Sequence, residues 1–315
     1  MMRAITPLGW GGPEVLTEVE LPRPDPLPTE VLVRVHAAGV NPIDWKSRAT
    51  GGFVPWGDPP ILGYDVSGVV EEVGLGVRIL APGDEVFGFL CFPRQAGAYA
   101  EYVTAPARHL ARKPANVSHL EAAAVPLAAL TAWQALVDTA AVGPGRRVLV
   151  HAAAGGVGHF AVQLAKHLGA HVIGTARAAK HGFLRDLGAD EVIDYTAVDF
   201  VAAVGRVDVV IDAVGGEYGA RSLRVLGEGG VLVSLPRGGD DLVPRARELG
   251  IRAGFMLVEP DHDGMRRIAA LLESGELRVH VETVLPLSRA AEAHRLGESG
   301  RTTGKIVLSV TERAG

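Results

Sequence analysis

Eleven consecutive residues near the middle of the chain, Val148-Leu149-Val150-His151-Ala152-Ala153-Ala154-Gly155-Gly156-Val157-Gly158, constrain its fold more than any other segment. A short apolar strand runs into a turn of small residues, and helical sequence opens on the far side. Ala153, Gly155 and Gly158 stand at the three positions of a dinucleotide-binding fingerprint, with Gly156 and Val157 between the last two. Glycine at the second position lets backbone N–H groups approach a pyrophosphate, and glycine at the third lets the helix pack closely on the strand. Ala153 departs from the usual first glycine. The motif gains weight from its place between a strand and a helix, with another strand about 20 residues on. The alternative is a tight strand–helix turn that holds no ligand.

That next strand, His171-Val172-Ile173-Gly174, ends where enzymes selective for NAD place an acidic residue against the ribose 2′-hydroxyl. Here the chain continues Thr175-Ala176-Arg177-Ala178-Ala179-Lys180, with no acid and two cations. A carboxylate would repel a 2′-phosphate, whereas arginine offers it a planar fork of donors. The expectation is NADPH, held in part by Thr175, Arg177 and Lys180. Solvated helix residues are the bland alternative for both cations.

Around this turn the sequence has two grammars. Before about Ser118, short runs such as Val31–Val35, Val66–Val73, Glu85–Phe89 and Ala98–Val103 are broken by Gly and Pro clusters, the pattern of a barrel or sandwich. From Glu121 the pattern turns helical as far as Ala140, and strands then alternate with helices, the signature of a parallel sheet covered by helices. After about Arg252 come a helix (264–274), a strand (279–284), a helix (288–297) and a last strand (304–310). At 315 residues the chain has the length of about two domains.

Composition excludes several classes. A net charge of -5 with interspersed signs gives no footprint for nucleic acid, and no uncharged apolar run approaches the ~18 residues of a membrane span. The first residues lack the apolar core of a secretory signal. One cysteine, Cys91, permits neither an intrachain disulfide nor a cysteine zinc knuckle, which suits a cytoplasmic protein.

Six segments in order along the chain carry a resemblance to the medium-chain dehydrogenase/reductase superfamily, in its quinone and alkenal oxidoreductase branch. They are Ala38-Gly39-Val40-Asn41-Pro42-Ile43-Asp44, Leu62-Gly63-Tyr64-Asp65-Val66-Ser67-Gly68-Val69-Val70, Pro82-Gly83-Asp84-Glu85-Val86, the glycine turn continued through Ala161–Lys166, Val209–Gly216, and Gly304-Lys305-Ile306-Val307-Leu308. The resemblance implies an α/β protein: a GroES-like β-barrel catalytic domain (1–117), a Rossmann doubly wound NADP-binding domain (118–255), and a return of the chain (256–315) that completes the first. It further implies a homodimer.

Zinc-dependent relatives use Cys at the Asn41 position, His at the Tyr64 position and a third ligand near Leu127. None of these is present, so no metal is expected. His36, His109 and His151 are read as ordinary surface or strand-end residues. The resemblance puts Asn41 beside the nicotinamide and ribose, as the candidate catalytic residue. It puts Thr131 near the cofactor, Tyr195 on the 2′-phosphate side of the adenosine, and Gly215 and Leu235 near the ribose and nicotinamide. Lys305 is left open between a site role and a solvated strand-entry charge, and Asp44 is read as a partly buried structural residue. Enoyl-thioester reductases of this superfamily often carry a tyrosine acid about ten residues after the Asn-Pro motif. The stretch Thr50–Trp56 has none, which argues against a thioester substrate. The resulting expectation is zinc-free hydride transfer from NADPH to a quinone or enone. A non-catalytic NADPH-binding or sensor protein is the reading from another class.

Overall fold

The computed structural model describes residues 1–52, 55–236 and 241–311. Phe53 and Val54, within the Thr50–Trp56 stretch, and 237–240 lie outside the described residues. The chain divides into two compact units, Met1–Leu130 with Glu259–Gly315, and Thr131–Val258.

In the first unit a hairpin of β1 (Met2–Pro7) and β2 (Leu16–Leu21) precedes the long strand β3 (Glu30–Val40) and helix α1 (Pro42–Thr50). Strands β4 (Asp65–Val73), β5 (Glu85–Phe89), β6 (Tyr102–Pro106) and β7 (Leu110–Arg112) follow. Helix α2 (His119–Ala123) then leads to α3 (Pro126–Trp133). β3 is the centre of the sheet because its side chains are apolar over most of its length. Val31, Val33 and Val35 are buried with Val66, Leu110, Ile306 and Leu308 in one core. Each such side chain contributes about 1.5–3 kcal/mol by leaving water. On the other face Leu32 is buried, whereas Arg34 is exposed and His36 half-buried, so this stretch of β3 keeps one open face, as its alternation predicts.

Strands β8 (Arg147–Val150), β9 (His171–Ala176), β10 (Glu191–Asp194), β11 (Val207–Asp212), β12 (Leu226–Ser234) and β13 (Arg252–Phe255) form the sheet of the second unit. Between them run α4 (Gly158–His167), α5 (His181–Asp186), α6 (Phe200–Ala203), α7 (Glu217–Ser222) and α8 (Leu242–Glu248). All pairings are parallel, and the spatial order is β10-β9-β8-β11-β12-β13. Numbered within the unit that is 3-2-1-4-5-6, the doubly wound dinucleotide-binding order.

The chain then returns as α9 (His262–Glu273), β14 (Val281–Pro286), α10 (Ala290–Glu298) and β15 (Lys305–Ser309). β15 lies antiparallel to β3, pairing Ile306 with Val40 and Ser309 with Ala37, and β14 lies parallel to β15. The first sheet therefore runs β14-β15-β3-β4-β5-β7, with β6 on the N-terminal half of β3. This is the return that the resemblance implies and that periodicity alone does not find.

Two local expectations fail for identifiable reasons. One helix across Glu121–Ala140 does not form: α2 stops at Ala123, Pro126 starts α3, and Gln134–Thr139 widens into a π-helical turn. Proline has no N–H to give a preceding turn, so it begins a helix rather than continuing one. The strand expected at Ala98–Val103 begins only at Tyr102, because the preceding residues bond to Leu62 and Gly63 on one side and to Ile5 on the other.

The small residues of α2 let it sit on the sheet, where Ala123 and Ala124 pack with Ala37 and Val307. The approach is close enough that a Cβ on Gly39 would meet the Ala123 carbonyl oxygen at 2.2 Å and Asp65 Cβ at 2.9 Å. Backbone cannot yield as a side-chain end can, and overpacking of this kind costs about 1–3 kcal/mol or more. Gly39→Ala is expected to lower the thermal unfolding midpoint by several degrees, measured by scanning calorimetry.

Candidate active site

In the first unit a polar cluster is built where β3 turns into α1. Asn41 is extended (φ -132°, ψ 156°), as a residue before proline prefers, and Pro42 opens the helix. Its backbone N–H donates to Asp44 Oδ2 at 2.7 Å, tying the cap to the first turn. The side chain is held from both ends. Nδ2 donates to Asp65 Oδ2 at 2.8 Å, and Oδ1 accepts from Lys305 Nζ. An ammonium only donates and a carboxylate only accepts, so the amide can point one way only. Lys305 Nζ also donates to the Val40 carbonyl at 3.1 Å and lies 3.9 Å from Asp65 Oδ2. Asp65 Oδ1 accepts the Leu127 N–H at 2.8 Å. Asn41, Asp44, Asp65 and Lys305 are all buried.

Burial controls the ionisation of this group. It raises Asp44 to about 7, opposed by the Asn41 N–H, and raises Asp65 to about 6, opposed by the Lys305 ammonium and Asn41. The same loss of water pushes Lys305 down. Lys305 is thus buried rather than solvated, and Asp44 is wholly rather than partly buried. The signal for Lys305 was its position at the head of an otherwise apolar strand, Ile306-Val307-Leu308. Asp65 stood inside a matched segment without an assigned role.

The three positions that hold zinc in metal-dependent relatives are thus filled differently. Asn41 and the Leu127 backbone both donate to Asp65. Tyr64 is buried among Phe89 and Phe92, with ring centroids at 6.2 and 5.3 Å, and its hydroxyl has no hydrogen-bond partner among the described residues. An amide engaged at both ends, a buried phenol and a leucine do not make a zinc site. Among the described residues, no group of three or more His, Cys, Asp or Glu side chains is placed to hold a metal ion.

In the second unit the expected cofactor residues lie at the carboxyl ends of the parallel strands. β8 runs through His151 into the turn Ala152–Val157, and α4 begins at Gly158. Ala153 N–H donates to the Thr175 carbonyl at 3.1 Å, and Gly155 N–H to the Ala152 carbonyl at 2.9 Å. A Cβ on Gly158 would lie 2.3 Å from the Ala152 oxygen and 2.6 Å from Ala153 Cα, so only glycine permits this approach of helix to strand. Gly155, Gly156 and Val157 are half-buried at the start of α4, where the His159 and Ala161 N–H groups donate to the Gly155 and Val157 carbonyls. The turn is a cradle for an anionic group, and its shape fits a dinucleotide pyrophosphate.

Thr175 is buried, and its hydroxyl faces His151 Nδ1 at 3.1 Å rather than solvent. His151 Nε2 faces Ser222 Oγ at 3.0 Å, and the ring packs at a steep angle against the stacked pair Phe200 and Tyr218. Burial first, then Arg221, lowers its pKa to about 3, so this strand-end histidine is neutral and braces the glycine turn from behind. Arg177 is exposed, and its Nε donates to the Tyr195 hydroxyl at 3.2 Å. The loops after β9 and β10 are joined again by the Ala178 N–H on Asp194 Oδ2. Lys180 closes the single 3-10 turn that follows Arg177. An open cavity of about 210 Å³ lies beside Tyr195, lined also by Asp199, Phe200, Tyr218 and Arg221. Gly215 (φ +80°) donates its N–H to Asp212 Oδ1, and Leu235 donates to the Asp212 carbonyl, so the ends of β11 and β12 are tied at one residue. Thr131 is buried on α3. Apart from Thr131, and from Thr175 near the end of β9, the expected cofactor residues of this unit follow the carboxyl ends of parallel strands, where such folds form their ligand crevice.

Comparison with known proteins agrees with this geometry. A family profile described as an alcohol dehydrogenase GroES-like domain matches residues 27–115, and one described as a zinc-binding dehydrogenase matches residues 187–308. The 2-methylene-furan-3-one reductase of Solanum lycopersicum is 37% identical over 98% of this chain and 79% of its own. The chain belongs to the medium-chain dehydrogenase/reductase family, in its quinone oxidoreductase branch. The quinone oxidoreductase of Coxiella burnetii superposes with a TM-score of 0.92 at 40% identity, covering 98% of this chain and 99% of that one. The Escherichia coli quinone oxidoreductase complexed with NADPH gives 0.87 at 33% identity, covering 98% and 100%. Membership of a family whose profile carries the word zinc does not restore the ligands, because positions 41, 64 and 127 keep the residues described above.

The raised Asp44 carboxyl has a thermodynamic consequence. Its proton is held more tightly in the folded state, so the stability it contributes is full below about 4 and is lost as pH rises through about 7. Asp44→Asn is expected to flatten the fall in unfolding free energy between those pH values, as followed by denaturant titration. An unchanged slope is the result that contradicts it.

Proposed function

We propose that this chain is an NADPH-dependent, zinc-independent oxidoreductase that reduces quinones or α,β-unsaturated carbonyl compounds. The observation that carries the reading is that the metal positions hold Asn41, its amide engaged by Asp65 and Lys305, together with the buried Tyr64 and with Leu127. NADPH, when bound, supplies the hydride. The chain's own residues bind and orient. The glycine turn from Ala153 to Gly158 takes the pyrophosphate, with Gly215 and Leu235 toward the ribose and Thr131 near the cofactor. Arg177 takes the 2′-phosphate with Lys180, and Tyr195 holds the Arg177 Nε, which leaves both Nη groups for the anion. Thr175 supports the turn through its carbonyl.

Reducing an unactivated ketone concentrates negative charge on one oxygen, for which a Lewis acid is the usual remedy. A quinone or enone spreads that charge by conjugation, so fewer donors suffice. Asn41 keeps one Nδ2 hydrogen unengaged among the described residues, beside the buried Lys305 charge, and aims it without reorganisation. The names of the relatives support the same substrate class, since a 2-methylene-furan-3-one is itself an enone.

No helix among the described residues is long and apolar enough to cross a membrane. A cytoplasmic setting fits the lone Cys91. A homodimer is supported by the edge strand β13, which pairs with β12 on one side only among the described residues. Phe255 and Leu257 beside it are about half exposed, 46% and 47%.

Two outcomes test the reading. With NADPH deuterated on the transferred face, the β-carbon of an enone product is expected to carry the label, detected by mass spectrometry. Inert enones and quinones alongside rapid oxidation of simple alcohols sink the assignment. A charge-assisted contact is worth about 1.5–3 kcal/mol, which makes the preference for NADPH over NADH about tenfold or more. Arg177→Glu is expected to erase it in steady-state kinetics with both cofactors.

A further inference from the structure

Behind Asn41 a second buried chain of polar groups runs through the first unit, and its direction is fixed by chemistry. Arg48, on α1, is only 2% exposed. Its Nη2 donates to Glu298 Oε1 at 2.5 Å, its Nε to the Gly11 carbonyl at 3.0 Å, and its Nη1 faces His294 Nδ1 at 3.4 Å. A guanidinium has no lone pair to offer, so Nδ1 of His294 accepts. Burial first, then Arg48, lowers His294 to about 3, so the ring is neutral and its one hydrogen sits on Nε2. That nitrogen lies 3.3 Å from the Tyr99 hydroxyl, which accepts and is left with its own hydrogen for Asp44 Oδ2 at 3.2 Å. The same oxygen holds the Asn41 N–H. Tyr99 and His294 are fully buried, and Asp65 and Lys305 are the remaining charged groups near Asp44.

We propose that Tyr99 and His294 are positioning residues for Asn41, acting through Asp44. A buried polar chain adds little to stability over an apolar replacement of the same shape, so its use lies in orientation. From Arg48 Nη1 through His294 and Tyr99 the hydrogens run toward one carboxylate oxygen, and that oxygen fixes the backbone of Asn41. Asp65 and Lys305 fix the side chain. The two sets together leave Asn41 no free rotation, which a donor aimed at a developing oxyanion requires, since displacement of about 1 Å is costly to rate. Loss of the chain therefore lowers turnover and leaves cofactor affinity alone.

This inference rests on Asn41 being the residue that meets the reacting groups, and the experiment separates the two claims. Steady-state kinetics with NADPH and an enone, together with thermal midpoints, are measured for Tyr99→Phe, His294→Gln, His294→Leu, Asn41→Ala and the Tyr99→Phe/Asn41→Ala double variant. Tyr99→Phe removes one oxygen and keeps the ring. It is expected to lower kcat about tenfold with the KM for NADPH within about twofold. In the Asn41→Ala background it is expected to have no further effect. His294→Gln can accept at one end and donate at the other and is expected to keep most of kcat, whereas His294→Leu falls with Tyr99→Phe. Should Tyr99→Phe fail to fold, the contrast between Gln and Leu at 294 carries the test. Equal losses from Tyr99→Phe with and without Asn41 overturn the proposal and make the chain a tether between α1 and α10. A loss in Asn41→Ala with none in Tyr99→Phe or His294→Leu overturns the chain alone. Parental kcat in Asn41→Ala overturns the role of Asn41 itself.

Discussion

The carboxylate of Asp65 is the group on which the first unit's polar cluster depends. It is inaccessible to water, and its two oxygens take hydrogen bonds from the Asn41 side chain and the Leu127 backbone, with the Lys305 ammonium 3.9 Å away. One residue at the head of β4 therefore ties together the turn between β3 and α1, the start of α3 and the head of β15. A buried carboxylate without such partners is strongly destabilising, so each of these elements needs the others in place.

The same arrangement explains why the chain must return. Lys305 stands 264 residues after the asparagine it holds, and β15 reaches it only by pairing antiparallel with β3. The sheet and the site are thus completed by one event. Without β15, Asn41 and Asp65 face each other with no cation nearby, and the edge of β3 from Ala37 to Val40 is open. Gly39 adds the steric condition, since the carbonyl of Ala123 occupies the place where a side chain would go.

The second unit solves a different problem by a local route. Its turn is shaped by what is missing, a Cβ at Gly158 within 2.3 Å of a carbonyl oxygen. The neutral His151 behind it then locks β8 to β9 and α7 through Thr175 and Ser222. Anion binding needs N–H groups that are in place before the ligand arrives, and this packing supplies them.

These contrasts account for what was legible in the residues alone. The glycine turn, the succession of strand and helix after it, and the lack of ligand-type side chains at 41, 64 and 127 are properties of short segments. Their physics is steric or periodic over a few residues, so the sequence by itself determined them, along with the want of an acid after β9. The return of β14 and β15 was visible only through likeness to relatives, because no local pattern specifies a partner strand hundreds of residues away. The break at Pro126 was half visible, as a proline that a long helix tolerates only near its start. What only the tertiary structure decided is the environment of the charged and polar groups. Lys305 could equally be read as a solvated charge, His151 looked like an ordinary strand end and Asp44 like a partly buried residue. Whether a lysine is solvated or sealed beside Asp65, and which way an asparagine amide points, depends on what several distant strands exclude from water, and that is settled only when they pack.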